Sequence, residues 1–467
     1  MASPSTHSAR ADGARSNDEP SAGEGKRSTL AGWGRVAVEA REVTPENLVT
    51  SPIAPIARGL GRSYGDSSLP PADRPVALNT TRADRLLSFD EATGLLLAES
   101  GLSLAEMNRL FLPRGWFTPV SPGTAFVTLG GMVASDIHGK NHHVDGCIGA
   151  HVIRLRMQVA DGRVLWCSRQ EHEDLFRATV GGMGLTGHIL EVELKMRRIP
   201  SPWIYQETKR IPNIDVFQDA LIEAAKEWPM TVGWIDCVKR SKNGKDIGRG
   251  ILIQGRWAEA GEAPKQSPKA LARPTLPFEF PNWALGRSSV ALFNEMYYRA
   301  HFPPKRSALV DPLQFFYPLD AIQHWNRVYG PRGFTQYQCV LPREAGPGSA
   351  RRVLEILTEH GCASPLAVIK DCGAEGEGVL SFPKPGMSIA LDIPLGDGIQ
   401  EAINDLNEQV LKEGGRMYLT KDTLTLSEHF HAMEPRLEEF NRIRDQWDPE
   451  RVFRSRQSVR LLKDPER

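Results

Sequence analysis

The chain has 467 residues, of which 40% are hydrophobic and 24% charged, and its 57 Lys+Arg balance 57 Asp+Glu. That length predicts two lobes rather than one ordinary domain. The balanced charge supplies no global field for a nucleic-acid partner, and none is expected. The six cysteines, Cys147, Cys167, Cys237, Cys339, Cys362 and Cys372, form no CxxC pair, so reduced thiols and a cytoplasmic location are expected.

Residues 1–28 are Ser-, Ala-, Gly- and charge-rich without an apolar core, which reads as a disordered tail and not a secretion signal. No apolar run approaches the roughly 20 residues that span a bilayer, and peripheral membrane contact stays open. Residues 29–199 form a first lobe of short strands and glycine turns. Strands are expected at 76–78, 95–99, 152–159, 164–166 and 189–194, with helices at 103–110 and 173–180. This is an α+β pattern, without the regular βαβ alternation of a dinucleotide-binding Rossmann unit.

Residues 200–415 form a second lobe. Helices are expected at 217–228, from Ser349 (as cap) to His360, and at 399–413; strands are expected at 250–255, 336–340 and 387–393. The Pro-, Ala- and Lys-rich stretch 258–286 reads as a long mobile loop or lid. In the remaining segment, 416–467, residues 427–447 read as one amphipathic helix.

Two glycine-rich stretches of the first lobe carry the chemistry. They are RGLGRSYGD at 58–66 and the run from Pro122-Gly123-Thr124 through Leu129-Gly130-Gly131 to DIHGKNHH at 136–143. Both allow backbone N–H groups to approach an anion closely, and two such loops suit a dinucleotide, FAD above all. The GMGLTG run at 182–187 matches GxGxxG, but a helix precedes it and a strand follows, the reverse of the Rossmann order. It reads as a tight turn near some other cofactor. His138, His142, His143 and His151 lack a partner at metal-ligand spacing, and no metal is expected. Lys140, in a glycine-rich and buried loop, needs an anionic partner. In the second lobe, Lys370 ends an apolar run, Gln336 and Gln338 share one strand face, and Lys421 stands in YLTKD. Together they would make a polar pocket for a phosphate and sugar hydroxyls.

These stretches resemble the FAD-linked oxidases of the vanillyl-alcohol-oxidase type, which share the PCMH-type FAD domain. Besides 57–66 and 136–143, the likeness runs through 179–182, 184–187, 314–315, 317–320, 325–327, 329–331, QYQ at 336–338, 421–422 and 430–433. It covers nearly everything after Trp33. The resemblance implies a two-lobe α+β flavoprotein: an FAD lobe completed by the returning segment 416–467, and an antiparallel-sheet substrate lobe. It implies oxidation of the ribose 2-hydroxyl of a polyprenyl-phosphoribose to a ketone, in cell-wall arabinan precursor synthesis. A short-chain reductase would then complete an epimerisation. The alternatives are an aldonolactone oxidase and a flavin-binding subunit without its own catalysis.

By motif match the resemblance assigns FAD contacts to Arg58, Gly59, Leu60, Gly61, Arg62, Ser63, Tyr64, Gly123, Thr124, Gly130, Asp136, His138, Gly139, Asn141, His142, His143, Gly184 and Gly187. It assigns substrate contacts to Lys140, Trp234, Tyr317, Gln336, Gln338 and Lys370, and catalysis to Lys421 with Tyr64 beside it. Tyr64 occupies the position where many members carry the histidine bonded to flavin, so non-covalent FAD is expected. The sequence departs from the pattern in the short proline-rich segment 43–56, where the usual helix is missing. It also has Ala390 and Ser388 where actinobacterial members carry Cys and Asn.

Overall fold

The computed structural model describes residues 26–239, 246–264, 266, 268 and 273–466. The strand Lys26–Ala31 pairs antiparallel with Ala37–Val43. This corrects the tail boundary, because Lys26, Arg27 and Ser28 already belong to a hairpin; residues 1–25 lie outside the described residues. Ala37–Val43 continues in parallel to Val76–Asn79 and Ile56–Arg58, giving a four-stranded sheet. The segment 44–55 contains no helix.

The rest of the first lobe is an antiparallel sheet in the order Leu86–Asp90, Leu95–Glu99, His188–Lys195, Val152–Gln158, Val164–Ser168. One face is closed by the helix Leu104–Phe111, whose Ser103 cap accepts from the Glu106 N–H. Leu104, Met107 and Phe111 recur at helical spacing and are buried against Leu96, Leu155 and Val192. Each such side chain contributes about 1.5–3 kcal/mol when fully buried.

An eight-stranded antiparallel sheet organises the second lobe. Its order is Lys305–Val310, Ile204–Ile211, Arg249–Trp257, Met230–Asp236, Ala367–Cys372, Gly386–Pro394, Phe334–Pro342, Arg416–Met417. The helices Ile214–Glu227, Ser349–Glu359 and Ile399–Lys412 contribute Phe217, Leu354 and Leu406 to the core beneath it, where Ile369, Ile389, Leu391, Tyr337 and Cys339 meet them. Alternation sends the intervening residues Val368, Lys370, Ala390, Gln336 and Gln338 into a cavity instead. The sheet is thus both core and floor of the site.

Two further sequence expectations are corrected. Gly348, with φ 83°, rather than Ser349 is the cap of Ser349–Glu359. The expected helix 427–447 is two, Ser427–Met433 and Leu437–Trp447, because Pro435 disfavours helical backbone at Glu434. In the 258–286 stretch, residues 265, 267 and 269–272 lie outside the described residues. Beyond them Leu276 N–H donates to the Gln323 carbonyl at 3.0 Å and Phe280 N–H to that of Arg327 at 3.0 Å. The helix Arg287–Ala300 follows, a segment for which no element was expected.

From Tyr418 onward the chain packs against the first lobe. Tyr64 N–H donates to the Thr420 carbonyl at 2.9 Å, and Arg460 spans Asp66 at 2.8 Å and Asp422 at 2.6 Å. The Arg444 guanidinium, fully buried, donates to Asp464 at 2.8 Å and to the Phe453 and Leu185 carbonyls at 3.0 and 3.2 Å.

Candidate active site

A cavity of about 1080 Å³ lies between the glycine loops of the first lobe and the sheet floor of the second. Arg58, Gly59, Leu60, Gly61, Arg62, Ser63 and Tyr64 line one side, with Gly123, Thr124, Gly130, His138, Gly139, Gly184 and Gly187. These residues fit FAD on three observations. A Cβ at Gly59 would strike the Thr128 side chain, and one at Gly130 would come within 2.8 Å of Ser100 Cβ. Gly61 and Gly184 hold φ of +63° and +80°, so the turns need glycine. The buried Ser67 and Ser100 hydroxyls on the cavity wall have no hydrogen-bond partner, leaving donors for an anionic group. The GxGxxG run sits between the helix Glu173–Thr179 and the strand His188–Lys195, so it is a cavity turn and not a Rossmann site.

Five expected contacts do not face the cavity, and the structure gives them another task. Asp136 is fully buried behind the wall and accepts from the Gly149 N–H at 2.9 Å and from the Ser381 hydroxyl. Burial raises its carboxyl to about 6. Asn141 donates to the Pro119 carbonyl at 2.8 Å, His142 Nδ1 accepts from the Gly373 N–H at 3.1 Å, and His143 Nε2 lies 2.8 Å from the Trp228 carbonyl. Tyr317 binds the Ser121 hydroxyl and accepts from Asn108 Nδ2 at 3.0 Å. Asp136, Asn141, His142 and His143 fix the loop whose other face presents His138, Gly139 and Lys140. Glycine-rich backbone needs such anchors, and a sequence pattern cannot tell which side of a loop each residue takes. Among the described residues no group of three His, Cys, Asp or Glu could hold a metal ion.

Lys140, Lys370, Lys421, Trp234, Gln336 and Gln338 all line the same cavity. The three lysine side chains are half-buried, and desolvation of their ammonium groups lowers the pKa of each. Lys140 is brought to about 7 by desolvation and then by the charge of Lys370; its Nζ donates to the Phe316 carbonyl at 3.0 Å. Lys370 Nζ lies 3.1 Å from His138 Nδ1. Desolvation first, then the nearby lysines and His142, push His138 well below its usual range, so it is neutral and accepts at Nδ1. Gln338 Nε2 lies 3.2 Å from His138 Nε2 and donates to the Ser388 hydroxyl at 3.1 Å.

Lys421 Nζ stands 3.9 Å from the Tyr64 ring centroid. Among the described residues it has no ion pair within 4 Å. Burial depresses it, Lys370 adds to that, and the nearby Asp392 carboxylate opposes it. Asp392 is itself buried and raised by desolvation. It accepts from Gln336 Nε2 and from the Tyr329 hydroxyl at 3.0 Å. Gln336 Nε2 also lies 3.4 Å from the Tyr64 hydroxyl. Burial and Asp392 keep Tyr64 protonated far into the alkaline range, so its hydroxyl, which accepts from Gln336, is not a base.

Asp392 and Asp320 escaped the sequence reading as site residues. Asp320 fixes the Pro122–Thr124 turn, accepting from the Thr124 hydroxyl and the Ala125 N–H at 2.7 Å each. A lone carboxylate within the otherwise nearly apolar strand MSIALDIP was the available signal for Asp392, since a buried charge needs partners. The cross-strand register explains its reach: Gln336 pairs with Asp392, Gln338 with Ala390 and Lys370 with Ser388. The two departures noted from sequence therefore lie against Gln338 and Lys370, and Ala390 leaves free space on the cavity wall.

A family model described as an FAD binding domain matches residues 50–168. The chain is 35% identical to the decaprenylphosphoryl-β-D-ribose oxidase of Mycolicibacterium smegmatis over 454 residues, 92% of this chain and 97% of that one. It is 29% identical over 377 residues, 77% of this chain and 100% of the other, to an uncharacterized protein in the mprA 5′ region of Streptomyces coelicolor. L-gulonolactone oxidase of Mus musculus matches only 24% of this chain and 26% of its own, at 29% identity over 116 residues. With a likeness that spans both lobes, this chain belongs to the decaprenylphosphoryl-β-D-ribose oxidase family of FAD-dependent oxidoreductases.

Proposed function

We propose that this chain oxidises the ribose 2-hydroxyl of decaprenylphosphoryl-β-D-ribose to a ketone. The observation that carries the reading is the cluster of Lys140, Lys370 and Lys421 in one buried, polar-floored cavity beside the glycine cradle. Three cations that share one nearby carboxylate, Asp392, among the described residues suit a phosphorylated sugar, and a neutral lactone would leave the excess charge unmatched. FAD, when bound, supplies the acceptor for the hydride that leaves the carbinol carbon. Lys421, kept partly neutral by burial, takes the hydroxyl proton at Nζ. Tyr64 donates from its hydroxyl and supports the Lys421 ammonium through its ring. Lys370, Lys140 and Gln338 hold phosphate and sugar, and no residue here tethers FAD covalently.

A short-chain reductase would act on the ketone next, completing an epimerisation. The six thiols are all unpaired, which favours a reducing, cytoplasmic location. No helix among the described residues is long and apolar enough to cross a membrane. The test is anaerobic: adding decaprenylphosphoryl-ribose to the yellow protein is expected to bleach the flavin band, and a sugar lactone is not. Bleaching by the lactone alone would reverse the assignment.

Lys140 gives this reading a pH signature. With a pKa of about 7 its holding charge is present below that pH and lost above it. The KM for the phosphorylated substrate is therefore expected to rise as pH passes 7 toward alkaline values, and Lys140→Met should flatten that rise. A wild-type KM independent of pH would take Lys140 out of the phosphate site.

A further inference from the structure

The largest exposed apolar side chains gather in one short stretch. Trp283 is 81% exposed, Phe302 73%, Leu292 62% and Met296 61%, with Phe278 and Phe293 also exposed. Leu292, Phe293 and Met296 lie on one face of the helix Arg287–Ala300, and Val290 and Asn294 are buried on the other. Asn294 ties the buried face down by donating to Asp236 at 2.9 Å. Phe293 and the exposed Ile322 also line the cavity, so the apolar surface runs from inside the site to the outside.

The charges beside this patch that lack an ion-pair partner among the described residues, Arg287 and Arg306, have one sign. Arg287 opens the helix, and Lys305 and Arg306 follow Phe302, all three exposed, with Lys305 paired to Glu207 at 3.3 Å. The acidic residues of the stretch are already matched, Glu279 by Arg35 and Glu295 by Lys239, Arg249 and Arg299. An apolar face of Trp, Phe, Leu and Met bordered by unmatched cations is the chemistry of a helix lying in a membrane interface. Exposed in water, so many large apolar side chains within one short stretch are rare on a monomer.

We propose that this face rests on a bilayer containing anionic lipid and sets the mouth of the cavity at headgroup level. The proposal deepens the substrate reading above and rests on it for its purpose. The phosphoribose head would enter toward the lysines while the prenyl tail stays in lipid. Moving such a tail into water would cost on the order of tens of kcal/mol, at about 0.8 kcal/mol per CH₂.

The experiment uses the full FAD-loaded chain without substrate. It is sedimented with vesicles of phosphatidylcholine alone and of phosphatidylcholine with phosphatidylglycerol. Binding to the anionic vesicles is expected, with a blue shift of tryptophan emission and weaker binding to the neutral ones. The double variant Leu292→Asp, Met296→Asp should lose at least ten-fold in vesicle affinity and keep its flavin content and far-ultraviolet spectrum. Equal vesicle binding by variant and wild type would overturn the proposal. So would no vesicle binding, or a dimer in sedimentation velocity that the variant abolishes, which would assign the face to a second copy. Because no substrate is present, a failed flavin-bleaching test in detergent would fault the substrate reading and leave the vesicle result standing.

Discussion

Lys421→Met is expected to keep FAD bound and to lower turnover by about 10² to 10⁴, the usual worth of a positioned acid–base group. Lys421 contacts the Tyr64 ring and lines the cavity, but it makes no hydrogen bond that holds either lobe together among the described residues. Flavin content, thermal midpoint and visible spectrum should therefore stay near wild type. A purely structural lysine would move those readouts and spare turnover. The pH profile separates the roles further. A lysine base works only when neutral, so activity should rise with pH through its pKa. Asp392 raises that pKa by its charge, and Asp392→Asn should move the rise toward lower pH. An unmoved profile would uncouple Asp392 from Lys421, and undiminished turnover in Lys421→Met would remove that lysine from the reaction.

Asp464→Ala is expected to destabilise the fold by about 3–5 kcal/mol, the cost of leaving one half of a buried ion pair uncompensated. The Arg444 side chain is 0% exposed and its carboxylate partner 4%, so water cannot replace the lost oxygens. Arg444 also binds the carbonyls of Leu185 and Phe453, joining the last helices to the turn that carries Gly184 and Gly187. Urea unfolding should show a lower midpoint, and bound FAD should be released at lower urea than in the wild type. A midpoint unchanged within error would mean that the pair contributes nothing net. Replacing both partners, Arg444→Leu with Asp464→Leu, should recover part of the loss, since an apolar pair carries no desolvation cost.

The α+β class and most elements of both lobes were legible because burial imposes a period. Leu104, Met107 and Phe111 repeat at helical spacing, and the strands around residues 155 and 192 alternate. The helix Arg287–Ala300 was not legible, because its exposed face carries Leu292, Phe293 and Met296 and breaks the amphipathic pattern. The site was read in part. Glycines and lysines in unusual company identified the cavity loops, but the sequence could not separate residues that face the cavity from those that brace it. Asp136, Asn141, His142 and His143 share one loop with His138 and Lys140 and point the other way.

Local chemistry alone determined that this chain would build turns only glycine can make, beside lysines that need an anion, because φ and charge burial are properties of single residues and their neighbours. Tertiary structure decided the rest. Lys140, Lys370 and Lys421 come from three distant stretches and meet only because a parity-two strand face and a returning C-terminal segment close over one cavity. Desolvation, the largest cause of their lowered pKa values, exists only once that closure has excluded water.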